Sequence, residues 1–70
     1  MKRFGEKLYI LRQSRGLTLR VLGDLLDVHH TYVSQLEKGK SIPNANMILK
    51  IARFFDVSID QLMKDELELD

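Results

Sequence analysis

At positions 30, 31, 34, 35 and 38 stand five residues with hydrogen-bonding or cationic tips and no acid among them: His30, Thr31, Ser34, Gln35 and Lys38. They fall on the outward and lateral positions of a helix whose inward positions are Val33 and Leu36. A glutamine bonds adenine in bidentate fashion, and a threonine bonds a base edge or touches a thymine methyl. Lys38, Lys40, Ser41 and a helix start at Asn44 suit phosphates, because a helix N-terminus offers free N–H groups and a favourable dipole. Catalysis finds no comparable support. There is no Ser/His/Asp arrangement, no phosphate-cradling glycine loop and no carboxylate pair in an apolar setting, so neither an enzyme nor a cofactor is expected. His29 and His30 are adjacent, and neighbouring helical side chains diverge by roughly 100°. With no cysteine and no third histidine, no metal site is expected. A modest pH dependence of anion binding is expected from this pair, since phosphates favour imidazolium and a helix N-terminus disfavours it.

Five helical segments can position these residues. Segment one spans about 2–14, with Phe4, Leu8 and Leu11 on one face and Gly16 as its stop. Segment two spans about 18–26, with Thr18 as N-cap and Leu22 and Leu26 inward. Segment three spans about 29–37, with His29 at its cap and Gly39 at its end. Segment four spans about 44–55, capped by Asn44 after Pro43, with Ala45, Ile48, Ile51, Ala52 and Phe55 as its inner face. Segment five spans about 58–64, capped by Ser58, with Ile59 and Leu62 inward. No stretch reads as a strand, so the class is all-α with short loops. The tight connection at Asp27-Val28, with Gly23 in segment two where a neighbour must cross closely, has the makings of a helix-turn-helix.

A chain of 70 residues bounds the answer to one domain, 1–64, followed by an acidic tail at 65–70 that is expected to fray or weakly extend the last helix. Net charge is only +1, but it is unevenly placed. Residues 1–53 hold ten Lys/Arg against four acids, and residues 54–70 hold one Lys against six acids. A basic body suits a polyanionic partner. No apolar run approaches the roughly 20 residues of a membrane span, and no leader pattern opens the chain, so a soluble cytoplasmic protein is expected.

The sequence resembles the Cro/repressor-type (XRE) helix-turn-helix family from Phe4 to Met63. The residues that carry the likeness are Leu11-Arg12, Gly16-Leu17-Thr18, Leu22-Gly23, Leu26, Val28, the run from Tyr32 to Lys40, Pro43, Ile51-Ala52 and the run from Val57 to Leu62. The resemblance implies a compact five-helix, lambda-repressor-like domain with the helix-turn-helix at helices two and three. It implies base reading by His30, Thr31 and Gln35. Backbone or rim contacts are implied for Thr18, Arg20, His29, Tyr32, Ser34, Lys38, Lys40, Ser41 and Asn44. It also implies a structural pair between Arg12 and Glu37, and a homodimer on double-stranded DNA through Phe54, Val57, Ile59, Met63 and Leu67. The expected role is a transcriptional repressor or autoregulator, nucleoid-associated in a prokaryotic or phage setting, controlled by concentration and dimerisation.

The chain departs from the family pattern at three places. Leu19 stands where the family has a phosphate-touching glutamine, Asp27 where its turn has glycine, and His29 where its helix-three cap is Ser or Thr. Apolar residues also stand where the family has polar ones: Ile10, Leu19, Val21, Leu25, Leu49 and Phe54. Leu19, Val21 and Leu25 either pack under Tyr9 and Tyr32 or bind a second protein, in the manner of an antitoxin that keeps the fold. Tyr32 either packs against helix two or reaches a phosphate.

Overall fold

The computed structural model describes residues 2–69. Helix α1 (Phe4–Ser14) starts without a side-chain cap. Helices α2 (Leu19–Leu26), α3 (His30–Glu37), α4 (Ala45–Phe55) and α5 (Ile59–Met63) start on Thr18, His29, Asn44 and Ser58. Each of those four side chains accepts a backbone N–H from the first turn, which satisfies an otherwise orphaned donor and contributes about 1 kcal/mol. Ser58 and Gln61 complete a reciprocal capping box. Two stops are unusual. Asp27 after α2 and Asp56 after α4 take left-handed backbone at φ 61° and 55°. Aspartate tolerates this region better than most residues, so both helices end sharply without glycine.

The amphipathic faces meet in one core. It consists of Phe4 and Leu8 from α1, Leu22 and Leu26 from α2, Val33 and Leu36 from α3, five residues of α4 and Leu62 of α5. The five from α4 are Met47, Ile48, Ile51, Ala52 and Phe55. Two residues expected inside are outside. Ala45 and Ile59 are the first residues of their helices, where no neighbouring element covers them, and both are exposed. They line a shallow apolar groove with Pro43, Ile48 and Met63.

The last segment does not fray. Lys64 leaves the helical region at ψ 117°, and the chain turns back over α1. There the fully buried Lys7 donates through Nζ to the carbonyls of Gln61, Lys64 and Leu67. An ammonium has three protons, and three oxygens meet them, which is what makes its burial tolerable. The Asp65 carboxylate accepts the backbone N–H groups of Lys2 and Arg3 at 2.9 and 2.8 Å. The Arg3 guanidinium reaches the Asp65 carbonyl and the Glu68 carboxylate. Helix α1 begins at Phe4 rather than Lys2, with Arg3 outside the helical region at ψ 8°, and Asp65 satisfies the two preceding N–H groups. The Arg3 and Lys2 amides hold the Asp65 carboxyl below the usual carboxylate range, and the Arg3 guanidinium does the same for Glu68. Asp70 lies outside the described residues.

Candidate nucleic-acid interface

The angle between α2 and α3 is set by a missing side chain. A Cβ on Gly23 would lie 2.7 Å from the Val28 carbonyl oxygen and 3.1 Å from the His30 nitrogen. Only glycine lets the start of α3 ride this closely on α2. The turn is closed by backbone bonds, with Val28 N–H donating to the Gly23 carbonyl at 2.8 Å and Asp27 N–H to Asp24 at 3.2 Å. Lys50 reaches across from α4 to donate to the Leu26 carbonyl at 3.0 Å, satisfying an acceptor at the end of α2.

Behind α3 the Arg12–Glu37 pair locks the far end. Arg12 Nε donates to Glu37 Oε2 at 2.6 Å and Nη2 to Oε1 at 3.0 Å, a bidentate fork. The remaining Arg12 nitrogen donates to the Leu17 carbonyl at 2.9 Å. Both side chains are about nine-tenths buried, and the Glu37 hydrogen bonds raise the Arg12 pKa above its ordinary value. Glu37 is thus neutralised and adds little negative potential to the end of α3. Helix α1 approaches the same place through Gly5, where a Cβ would fall 2.4 Å from the Glu37 carbonyl oxygen.

With Val33 and Leu36 buried, Glu37 paired to Arg12 and Tyr32 packed on the core, the remaining residues of α3 face outward or along its flanks. Thr31, Gln35 and Lys38 are exposed, and His30 and Ser34 are half-buried along the flanks. Gln35 is the best-placed of these. Its Oε1 accepts from the Ser41 hydroxyl at 3.2 Å, and its carbonyl accepts from the Lys40 and Ser41 N–H groups. The loop carrying Lys40 and Ser41 is thereby folded against the outer face of α3. The amide oxygen keeps a second lone pair and its NH2 two donors, the set an adenine edge requires. The His30 ring stacks on that of His29 with centroids 4.3 Å apart. Desolvation lowers the His30 pKa, Arg20 and His29 lower it further, and Asp24 opposes them.

Three of the residues expected at phosphates are also the helix caps that the sequence marks. Thr18 Oγ1 accepts from Val21 N–H at 3.1 Å, His29 Nδ1 from Thr31 N–H at 3.1 Å, and Asn44 Oδ1 from Met47 N–H at 2.8 Å. In each case the acceptor is used by the helix and a donor is left over on an exposed residue. The leftover donors are the Thr18 hydroxyl, the His29 Nε2–H and the Asn44 amide. Donors are what a phosphate accepts from. Arg20 and Lys40 are exposed beside them.

Other residues decide between alternatives that the sequence left open. Tyr32 is half-buried and packs on the core, as do Leu19, Phe54 and Val57. Leu19 shares a cleft with Tyr9, Arg12 and Glu37, which accounts for an apolar residue at that position. Val21 and Leu25 are 43% and 51% exposed. Of the expected dimer residues, Ile59, Met63 and Leu67 are exposed, while Phe54 lies beneath Arg15, whose guanidinium is 5.9 Å from the Phe54 ring centroid. Among the described residues no group of three or more His, Asp or Glu is placed to hold a metal, and no helix is long and apolar enough to cross a membrane.

Sequence reasoning missed Lys7, Gly5 and Lys50. A lysine on the buried stripe of α1, at i+3 from Phe4 and i−1 from Leu8, was a signal for the first, and a glycine inside a helical run was a signal for the second. The Lys50 contact has no local signature.

Comparison with known proteins agrees with this geometry. Residues 8–62 match the profile of the helix-turn-helix family. The HTH-type transcriptional activator BcrR of Enterococcus faecalis is 41% identical over 63 residues, covering 90% of this chain and 31% of that protein. The HTH-type transcriptional regulator DdrOP3 of Deinococcus deserti is 29% identical over 59 residues, so this chain spans less than half of either relative. Among solved structures, the P22 c2 repressor in complex with a synthetic operator superposes with a TM-score of 0.83 at 25% identity, covering 90% of this chain and 96% of that one. The restriction-modification controller protein C.AhdI of Aeromonas hydrophila superposes with a TM-score of 0.78 at 31% identity, covering 87% and 92%. With its short turn, glycine crossing and outward polar row intact along the matched stretch, this chain belongs to the helix-turn-helix family of the Cro/repressor type.

Proposed function

We propose that the chain reads a pseudo-palindromic operator in double-stranded DNA as a homodimer and regulates transcription by occupying it. The observation that carries this reading is the outward row of α3. His30, Thr31 and Gln35 stand on a helix fixed in front by the Ser41–Gln35 bond and behind by the Arg12–Glu37 fork. Base readers must be held rigidly to discriminate, and phosphate contacts must fix the register from which they read. Thr18, Arg20, His29, Lys38, Lys40, Ser41 and Asn44 supply donors or charge for that register, with Ser34 on the flank and Tyr32 supporting from the core. Two copies related by a two-fold axis place their recognition helices one turn of DNA apart, about 34 Å. Ile59, Met63 and Leu67, backed by Phe54 and Val57, form the self-association surface. The sign of regulation then follows from where the operator lies relative to the promoter, and repression or autoregulation needs nothing more than occupancy.

A second reading is favoured by Val21 and Leu25, which stand one turn apart on the outer side of α2. They offer an apolar contact for a protein partner while the fold is kept.

Selection from random duplex DNA, followed by a salt titration on the winner, tests the first reading. A palindromic consensus with half-sites about one helical turn apart is expected, with affinity falling steeply as salt rises. No enrichment, with only weak salt-sensitive binding, would reject operator reading and favour the α2 surface.

A further inference from the structure

We propose that His29 is a proton-sensitive brace for the recognition helix: its neutral imidazole holds the first turn of α3, and taking up a proton releases it. The consequence for DNA rests on the operator reading, whereas the brace itself is a property of the free protein.

A backbone N–H can only donate. The Thr31 N–H pointing at His29 Nδ1, 3.1 Å away, therefore requires a lone pair on that nitrogen and places the ring proton on Nε2. The caps of the other helices, Thr18, Asn44 and Ser58, accept through oxygens that do not titrate near neutrality. His29 alone among these four caps through an imidazole nitrogen. A second proton would set N–H against N–H at Thr31 and put a positive charge at the positive end of the helix dipole. The surroundings of the ring are mixed. Arg20 and Asp24 of α2 share its cleft, the His30 ring stacks on it, and Asp27 stands in the turn before it. Loss of the cap falls directly on the reading positions, because the N–H released is that of Thr31 and the ring unstacked is that of His30. A DNA phosphate pulls the other way by attracting imidazolium, so the brace is measured first without DNA.

The test is NMR on the free protein with labelled histidine. Long-range proton–nitrogen correlations are expected to show His29 protonated on Nε2 and bare on Nδ1. On lowering the pH from about 7.5 to about 5.5, amide protection factors at Thr31 and Tyr32 are expected to fall about fivefold, the loss of one cap. In His29→Ser the protection should persist and lose its pH dependence, while His30→Gln should keep the wild-type dependence. A proton on His29 Nδ1, or an equal pH dependence in His29→Ser, would overturn the brace. On the selected duplex at fixed salt, acidification should weaken the wild type relative to His29→Ser; identical profiles would show that the brace does not reach the reading positions. If selection yields no duplex, operator reading fails while the free-protein measurements still decide the brace.

Discussion

Two cations lie buried in this small domain, and they are satisfied by different chemistry. On the α3 side, Arg12 is matched by a carboxylate, with Glu37 taking two of its N–H groups and the Leu17 carbonyl a third. On the opposite side, Lys7 has neutral backbone carbonyls, contributed by the segment from Gln61 to Leu67. The planar guanidinium fork fixes direction as well as distance, which suits a helix that must present its outer face in one orientation. The ammonium is a point donor whose three protons gather a loop without prescribing its angle. The front is built to hold one geometry, and the back to tie the chain's two ends together.

The contrast is sharpest when each cation is removed. Arg12→Ala leaves a carboxylate buried without its partner and is expected to cost about 3–5 kcal/mol of unfolding free energy in urea. Lys7→Met preserves the aliphatic stem and leaves only neutral carbonyls, which water can partly reach once the segment loosens. A smaller loss of about 1–3 kcal/mol is expected. Equal losses would mean that charge pairing does not distinguish the two sides. Lys40→Ala should leave stability unchanged, weaken binding to all duplexes alike and lower the salt slope by about one.

The smallest effect concerns the exposed clasp of the tail. The folded state lowers the pKa of Asp65 and Glu68, so their contribution is fully present above the unfolded carboxylate values and disappears as pH falls through the lowered folded ones. Acidification should shift the amide signals of Lys2 and Arg3 before it disturbs those of α3 beyond its first turn, where the Thr31 and Tyr32 amides answer to His29. Simultaneous movement of both regions would contradict a clasp that opens separately.

The front was far more readable in the sequence than the back. Its turn, its outward row and the four helix starts that carry side-chain caps depend on local spacing, and local spacing is what a sequence displays. Asp27 could be accepted at the left-handed position because its chemistry permits it. Thr18, His29 and Asn44 were expected at phosphates, and their capping bonds explain how one residue offers an acceptor to the helix and a donor to solvent. The expectation that the tail frays or weakly extends the last helix is not met over the described residues 65–69, because a run of acids next to a short helix reads as a solvated tail. Its partners, Lys2, Arg3 and Lys7, lie some sixty positions away. Ala45 and Ile59 were misplaced for a related reason. Period assigns a helix face along its whole length, but the first residue of a helix is buried only if a neighbouring element extends that far.

The most direct test of the central claim is the affinity of Gln35→Ala for every single-base variant of the selected duplex. Reading by this side chain requires a loss of about 1–3 kcal/mol on the parent sequence and relaxed preference at one base pair of each half-site, with the others unchanged. A uniform weakening across all variants would contradict it, placing Gln35 among the anchors and the source of specificity elsewhere.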